Sequence, residues 1–176
     1  DDDGCSTLNR QAVISGLSCT AGTDYYIVVW SAGATAGNAG ERSISLYVNA
    51  EPEMTFSSDL STQPDASAIP GATNVQIYRL RITTATGSIN PLEMQTINVD
   101  MTGTTNNADI LSAKCYYTTT GTFATTTPFG STQNAPGTTF SFTGTQSLTL
   151  GSGNFFWVVY DIASCPTGVN NIDASV

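Results

Sequence analysis

Four cysteines, Cys5, Cys19, Cys115 and Cys165, carry the most reactive chemistry in this sequence, and no histidine accompanies them. Without histidine, Ser-His-Asp and Cys-His nucleophilic machinery is excluded. Neither cysteine spacing is the short Cys-x-x-Cys of a zinc site, and a mixed site would lack its nitrogen ligands. By position the cysteines fall into two pairs, Cys5 with Cys19 and Cys115 with Cys165, which reads as two disulfides formed in an oxidising compartment. Closing the short Cys5–Cys19 loop would contribute about 3 kcal/mol in the chain-entropy model. The competing reading is four buried thiols acting as small apolar side chains, and four cysteines allow more than one connectivity.

Carboxylates are the other route to catalysis, since glycosidic chemistry needs two acids across a cleft. The available pairs are Glu51 with Glu53, Glu93 with Asp100, and Asp161 with Asp173. The first flanks Pro52 and the others stand at strand edges, the pattern of solvated charges. Lys114, the only lysine, sits in a stretch of Thr and Tyr without an acidic neighbour in sequence. No Gly-x-Ser-x-Gly, P-loop or dinucleotide fingerprint occurs. The expectation is a protein that is not an enzyme.

Two binding chemistries remain. The opening Asp1-Asp2-Asp3-Gly4 run offers hard oxygen donors, with Asp1 and Asp3 as calcium candidates, although it lacks the spacing of an EF-hand loop and reads first as a solvated acidic turn. No other cofactor is expected. Glycan stacking needs outward aromatics: Tyr47 and one of Tyr116 or Tyr117 must face solvent, which places a sugar platform at Tyr47 and Tyr117. Trp30 and Trp157 lie in runs apolar on both faces and read as core.

These residues must be positioned by strands. Charged residues make up 11% of the chain and hydrophobic ones 40%, too apolar for a disordered tail. Threonine occurs 28 times in the 176 residues, and its branched Cβ favours a pleated strand over a helix. The formal charge of −9 excludes nucleic acid as a partner, because neutralising phosphate needs a basic stripe. No run of apolar residues is long enough to span a membrane as a helix.

Along the chain, residues 24–31 are apolar on both faces, as in a central strand, and 42–48 alternate with a period of two. Pro52 marks the boundary between a module at 1–50 and a second at 53–176. In the second, strands are expected at 53–57, 74–84, 95–102, 113–119, 129–133, 138–143, 146–150 and 154–163, with one helical turn at 106–111. Tyr78, Leu80 and Ile82 face one way and Arg79 and Arg81 the other. Ile97, Val99 and Met101 point inward, and 154–163 is apolar on both faces. The fold class is therefore all-β, with two tandem β-sandwich modules of immunoglobulin-like or jelly-roll-like type. Fifty residues cannot close a sandwich, so the first module is expected to be incomplete, and 172–176 to begin a strand and stop.

Leu17 to Ile27, the Gly-rich 33–40 and the strand Ile44–Val48 resemble, in order, the later half of the pre-peptidase C-terminal-like β-sandwiches of bacterial secreted proteins. Gly71-Ala72-Thr73-Asn74-Val75-Gln76-Ile77, Thr102 to Ile110, Ala113-Lys114-Cys115-Tyr116-Tyr117 and Phe155-Phe156-Trp157-Val158-Val159-Tyr160-Asp161-Ile162 resemble the N-terminal β-sandwich domain of BNR-repeat neuraminidases, also found in Bacteroidota surface proteins. That likeness implies an accessory module of an exported protein with adhesive or glycan-related work, and no catalytic residue. Cys115 and Cys165 depart from its usual pattern. The expected function is a structural or adhesive segment of a large extracellular surface protein or filament, with copies of itself or neighbouring modules as partners through strand exchange. The alternative is a carbohydrate-binding accessory module of a secreted glycosidase, with glycans as partners.

Overall fold

The run Asn154-Phe155-Phe156-Trp157-Val158-Val159-Tyr160 is apolar at every position after the asparagine, and it lies at the centre of the structure, as such a run must. In this computed structural model, residues 17–20, 23–26, 52–64 and 68–176 are described. Asp1, Asp3, Cys5, Trp30 and Tyr47, with the expectations placed on them, lie outside the described residues. The chain divides into two units, Asp1–Tyr47 and Val48–Val176. The architecture below is that of the second.

Seven strands follow in order: β1 (Met54–Thr62), β2 (Val75–Thr86), β3 (Glu93–Asp100), β4 (Ile110–Thr118), β5 (Gln133–Asn134), β6 (Thr139–Ser147) and β7 (Gly151–Ile162). A single 3-10 turn at Asn107–Asp109 precedes β4, opened by Asn106, whose side chain accepts a hydrogen bond from the Ala108 N–H. All ladders between these strands are antiparallel. One sheet has five strands in the order β1-β2-β7-β4-β5, and the other pairs β3 with β6. The described chain is all-β, and its two sheets form a β-sandwich.

The core lies between them. Ile82, Cys115, Tyr117, Phe156, Val158 and Tyr160 from the large sheet meet Ile97, Val99 and Phe142 from the small one. Burial of these side chains, at about 25 cal/mol per Å² of apolar surface, is the main force holding the layers together. The ring of Phe129, from the loop before β5, packs edge-on against Phe156 with centroids 5.2 Å apart. Gly130 beside it has φ of 72°, and a Cβ there would come within 3.0 Å of the Thr143 backbone. The chain therefore passes close to β6 only because this residue is glycine.

Several expectations need correction. β1 runs to Thr62, beyond the expected 53–57, and the strands expected at 138–143 and 146–150 are one strand, β6, ending at Ser147. The strand expected at 129–133 shrinks to the two residues of β5. At 172–176 there is a single bridge rather than a strand: Ser175 bridges Asp100 at the end of β3, with backbone hydrogen bonds of 2.9 and 2.8 Å.

The expected Cys115–Cys165 disulfide is absent, and both are free thiols, Cys115 buried and Cys165 exposed. Register explains this. Cys115 pairs with Val158, whereas Cys165 comes after the end of β7. Seven residues at about 3.3 Å each separate those positions along an extended chain, far beyond the roughly 5.5 Å between bridged Cα atoms. Burial pushes the Cys115 thiol up to about 12, which makes it a core side chain of low reactivity. Cys19 is an exposed free thiol.

Candidate functional site

β1 is an edge. It pairs with β2 on one side, and among the described residues no strand pairs with its other side. Of its nine residues only Met54 is buried. Phe56, opposite Thr84, is 58% exposed, and Leu60, opposite Arg81, is 50% exposed. The register skips Ser57, a bulge that twists the strand locally.

The outer face of the five-stranded sheet, away from the core, is built in rows. Thr62, Arg79, Trp157 and Tyr116 lie across four strands in one register, and Leu60, Arg81, Phe155 and Thr118 form the next. The loop after β4 folds over the first row. Its Phe123 ring meets Tyr116 at 5.9 Å and Trp157 at 5.7 Å, both edge-on. The Arg79 guanidinium lies 5.4 Å from the Trp157 ring and 6.0 Å from Phe155, a cation–π arrangement. Its Nη2 donates to Thr62 Oγ1 at 3.3 Å. The Trp157 Nε1–H donates to Thr118 Oγ1 at 2.8 Å, so this tryptophan is only 4% exposed although it faces away from the main core.

Between the β4–β5 loop and the end of β1 the face is concave. The groove holds about 500 Å³ and is lined by Thr62, Gln76, Arg79, Thr122, Phe123 and Trp157 among others, a size within the range of small-ligand sites. Arg81 stands two residues from Arg79 on the same face, about 7 Å away at strand spacing. Among the described residues Arg81 has no hydrogen bond, and the Nε atoms of both arginines are buried without an acceptor. The one salt bridge among the described residues lies elsewhere on the same face, between Lys114 and Asp161.

Lys114 has no acidic neighbour in sequence, but β4 and β7 bring it to Asp161 across the ladder. Asp161 also accepts from the Asn74 N–H at 2.9 Å and from the Ser112 hydroxyl at 2.7 Å. Burial pushes its carboxyl up, but the bonds from Lys114, Asn74 and Ser112 and the lysine charge outweigh this, and it lies below the ordinary value. A carboxyl lowered on folding contributes stability above its unfolded value, about 3.9, and loses it as pH falls through the lower folded value. Asp161→Asn is therefore expected to cost about 1–2 kcal/mol at pH 7 and to flatten the loss of stability below about pH 4. Urea unfolding of both proteins at pH 7 and pH 3 checks this. Equal pH dependence would sink it.

The expected glycan platform does not form at Tyr117. Its side chain points into the core, 6% exposed, and its hydroxyl donates to Asn154 Oδ1 at 2.9 Å. Cys115 faces inward, so Tyr117, two residues on, must do the same, and Tyr116 takes the outer face. The carboxylate pairs do not converge either. Glu93 and Asp100 stand at opposite ends of β3. Asp161 is held by Lys114 on the outer face, while Asp173 accepts from the Gln63 side chain. Glu53 accepts from Asn90 at 2.9 Å, and its partner Glu51 lies outside the described residues. The groove itself was not anticipated. Its signal was the alternation of Arg79 and Arg81 on a strand next to the centre, opposite Phe155 and Trp157.

No family model matches the chain, and no curated protein is similar enough to count as a relative. Among the described residues no helix is long and apolar enough to cross a membrane.

Proposed function

We propose that the chain is a non-catalytic structural or adhesive segment of an extracellular surface protein or filament, joined to copies of itself or to neighbouring modules by strand addition at β1. The observation that carries this reading is the β1 edge, nine residues long, exposed from Thr55 to Ser61 and bearing Phe56 and Leu60. A free edge offers unpaired N–H and C=O groups as a template, and monomeric proteins ordinarily blunt such edges with lysine, proline or a covering segment. β1 contains neither of those residues, and its own protection is limited to the Ser57 bulge and Asp59. An incoming strand supplies main-chain hydrogen bonds for affinity and alternate side chains for specificity. The threonine-rich, lysine-poor composition and the likeness of the second module to exported accessory sandwiches support the same reading.

Sedimentation velocity with negative-stain microscopy tests it. Wild type is expected to give a concentration-dependent ladder of oligomers or filaments. Ser57→Pro, at the position the β1–β2 register skips, removes an N–H at least cost to the existing ladder. That variant is expected to be monomeric, with its unfolding midpoint nearly unchanged. A wild-type chain that stays monomeric at high concentration would overturn the proposal.

A further inference from the structure

Five cationic residues stand against fourteen acidic ones in this chain, yet two of the five, Arg79 and Arg81, share one face with no carboxylate paired to either among the described residues. Lys114 is neutralised by Asp161, whereas Arg79 and Arg81 form no salt bridge among the described residues. Their buried Nε groups lack acceptors, which is the pattern left when the accepting group is not part of the chain. In a molecule of net charge −9, such a pair attracts a ligand anion against the general field.

The rest of the groove narrows the ligand. β2 lies between β1 and β7, so its backbone is laddered on both sides and offers little to a peptide main chain. A ligand seated here is held by side chains. Those at the rim are the Thr62 and Thr122 hydroxyls and the Gln76 amide, which both donate and accept, beside the apolar Phe123 and Trp157. Hydroxyl and amide groups match the hydroxyls of a sugar ring, aromatic edges match its C–H face, and guanidinium matches a carboxylate with two parallel hydrogen bonds. We propose that the groove lined by Arg79, with Arg81 beside it on the same face, is a binding site for a carboxylate-bearing saccharide of the uronic-acid type. The site is complete within one chain and does not depend on strand addition at β1.

Titration calorimetry with three probes tests it: an oligogalacturonate, a neutral galactose oligomer of the same length, and hexaglutamate. Oligogalacturonate is expected to bind, more weakly as salt rises, and the neutral oligomer to bind at least about tenfold less tightly. Arg79→Gln and Arg81→Gln are each expected to weaken oligogalacturonate binding by about tenfold or more, the loss of a charge-assisted hydrogen bond. The Arg81 side chain makes no hydrogen bond among the described residues, so its replacement is expected to leave the fold intact and keeps the test decisive if Arg79→Gln unfolds. No binding of oligogalacturonate, or binding indifferent to Arg81→Gln, overturns the proposal. Hexaglutamate binding as tightly as the sugar also overturns it, in favour of an acidic-peptide site.

Discussion

Asn154→Leu is expected to destabilise the sandwich by about 3 kcal/mol, although leucine has the same count of side-chain heavy atoms, branched at the same carbon, and suits a core. Asn154 is fully buried at the start of the apolar run of β7. Its Oδ1 accepts from the Tyr117 hydroxyl at 2.9 Å, from the Thr149 N–H at 2.8 Å and from the Thr149 hydroxyl at 3.1 Å. Its Nδ2 donates to the Thr149 carbonyl at 2.8 Å and to the Ile82 carbonyl at 3.4 Å. One side chain thus closes the β6–β7 turn and satisfies a buried phenol from β4. Leucine would leave these groups unpaired; Thr149 is exposed and can turn to water, but Tyr117 cannot. A buried orphan costs about 1–3 kcal/mol, which sets the estimate. Asn154→Asp keeps the shape and the acceptors but loses both donated bonds and buries a charge. It is expected to cost at least as much at pH 7 and less at pH 4, where the carboxyl regains a proton. Urea midpoints for both variants decide the matter, and a loss below about 1 kcal/mol for leucine would refute the hub role.

Trp157→Ala should cost about 3–5 kcal/mol, the range for deleting a large buried aromatic. The interest lies in where that energy resides. Trp157 belongs to the outer face, where Phe123, Phe155 and the Arg79 guanidinium enclose it. Its removal leaves the main core untouched but takes away the wall against which the β4–β5 loop folds. Trp157→Phe keeps a ring and loses the hydrogen bond to Thr118, so about 1–2 kcal/mol is expected. Denaturant unfolding gives both numbers. A cost under about 1.5 kcal/mol for alanine would mean that this outer cluster does not contribute as a packed core.

Much of the large sheet was legible because strand parity is a strong signal. Ile97, Val99 and Met101 are buried as their alternation requires, and Arg79 and Arg81 share the outer face. The doubly apolar 154–163 run gave β7 its central place. Parity failed where a pair of like residues offered no asymmetry: Tyr116 and Tyr117 differ only in which face the register assigns them. Cys115 and Cys165 show a different limit, since pairing depends on where a strand ends, and composition near Cys165 does not mark that end. The groove was legible only in part: the alternation of Arg79 and Arg81 marked one face of β2, but not what stands beside it. It is assembled from β1, β2, β7 and the Phe123 loop, whose adjacency follows from the order β1-β2-β7-β4-β5 and from no local pattern. Expectations placed on Asp1, Asp3, Cys5 and Tyr47 concern residues outside the described ones.

β7 holds the middle of the large sheet and is also the last of its strands in the chain. During synthesis, β2 and β4 therefore emerge long before the strand that joins them, and neither pairs with the other. Only when Ile162 has cleared the exit can β7 slide between them, in a single late step with long loops to close. Until then the segment up to β6 is an unfinished, extendable chain. A polypeptide of this design stays threadable until its last strand is available to pair.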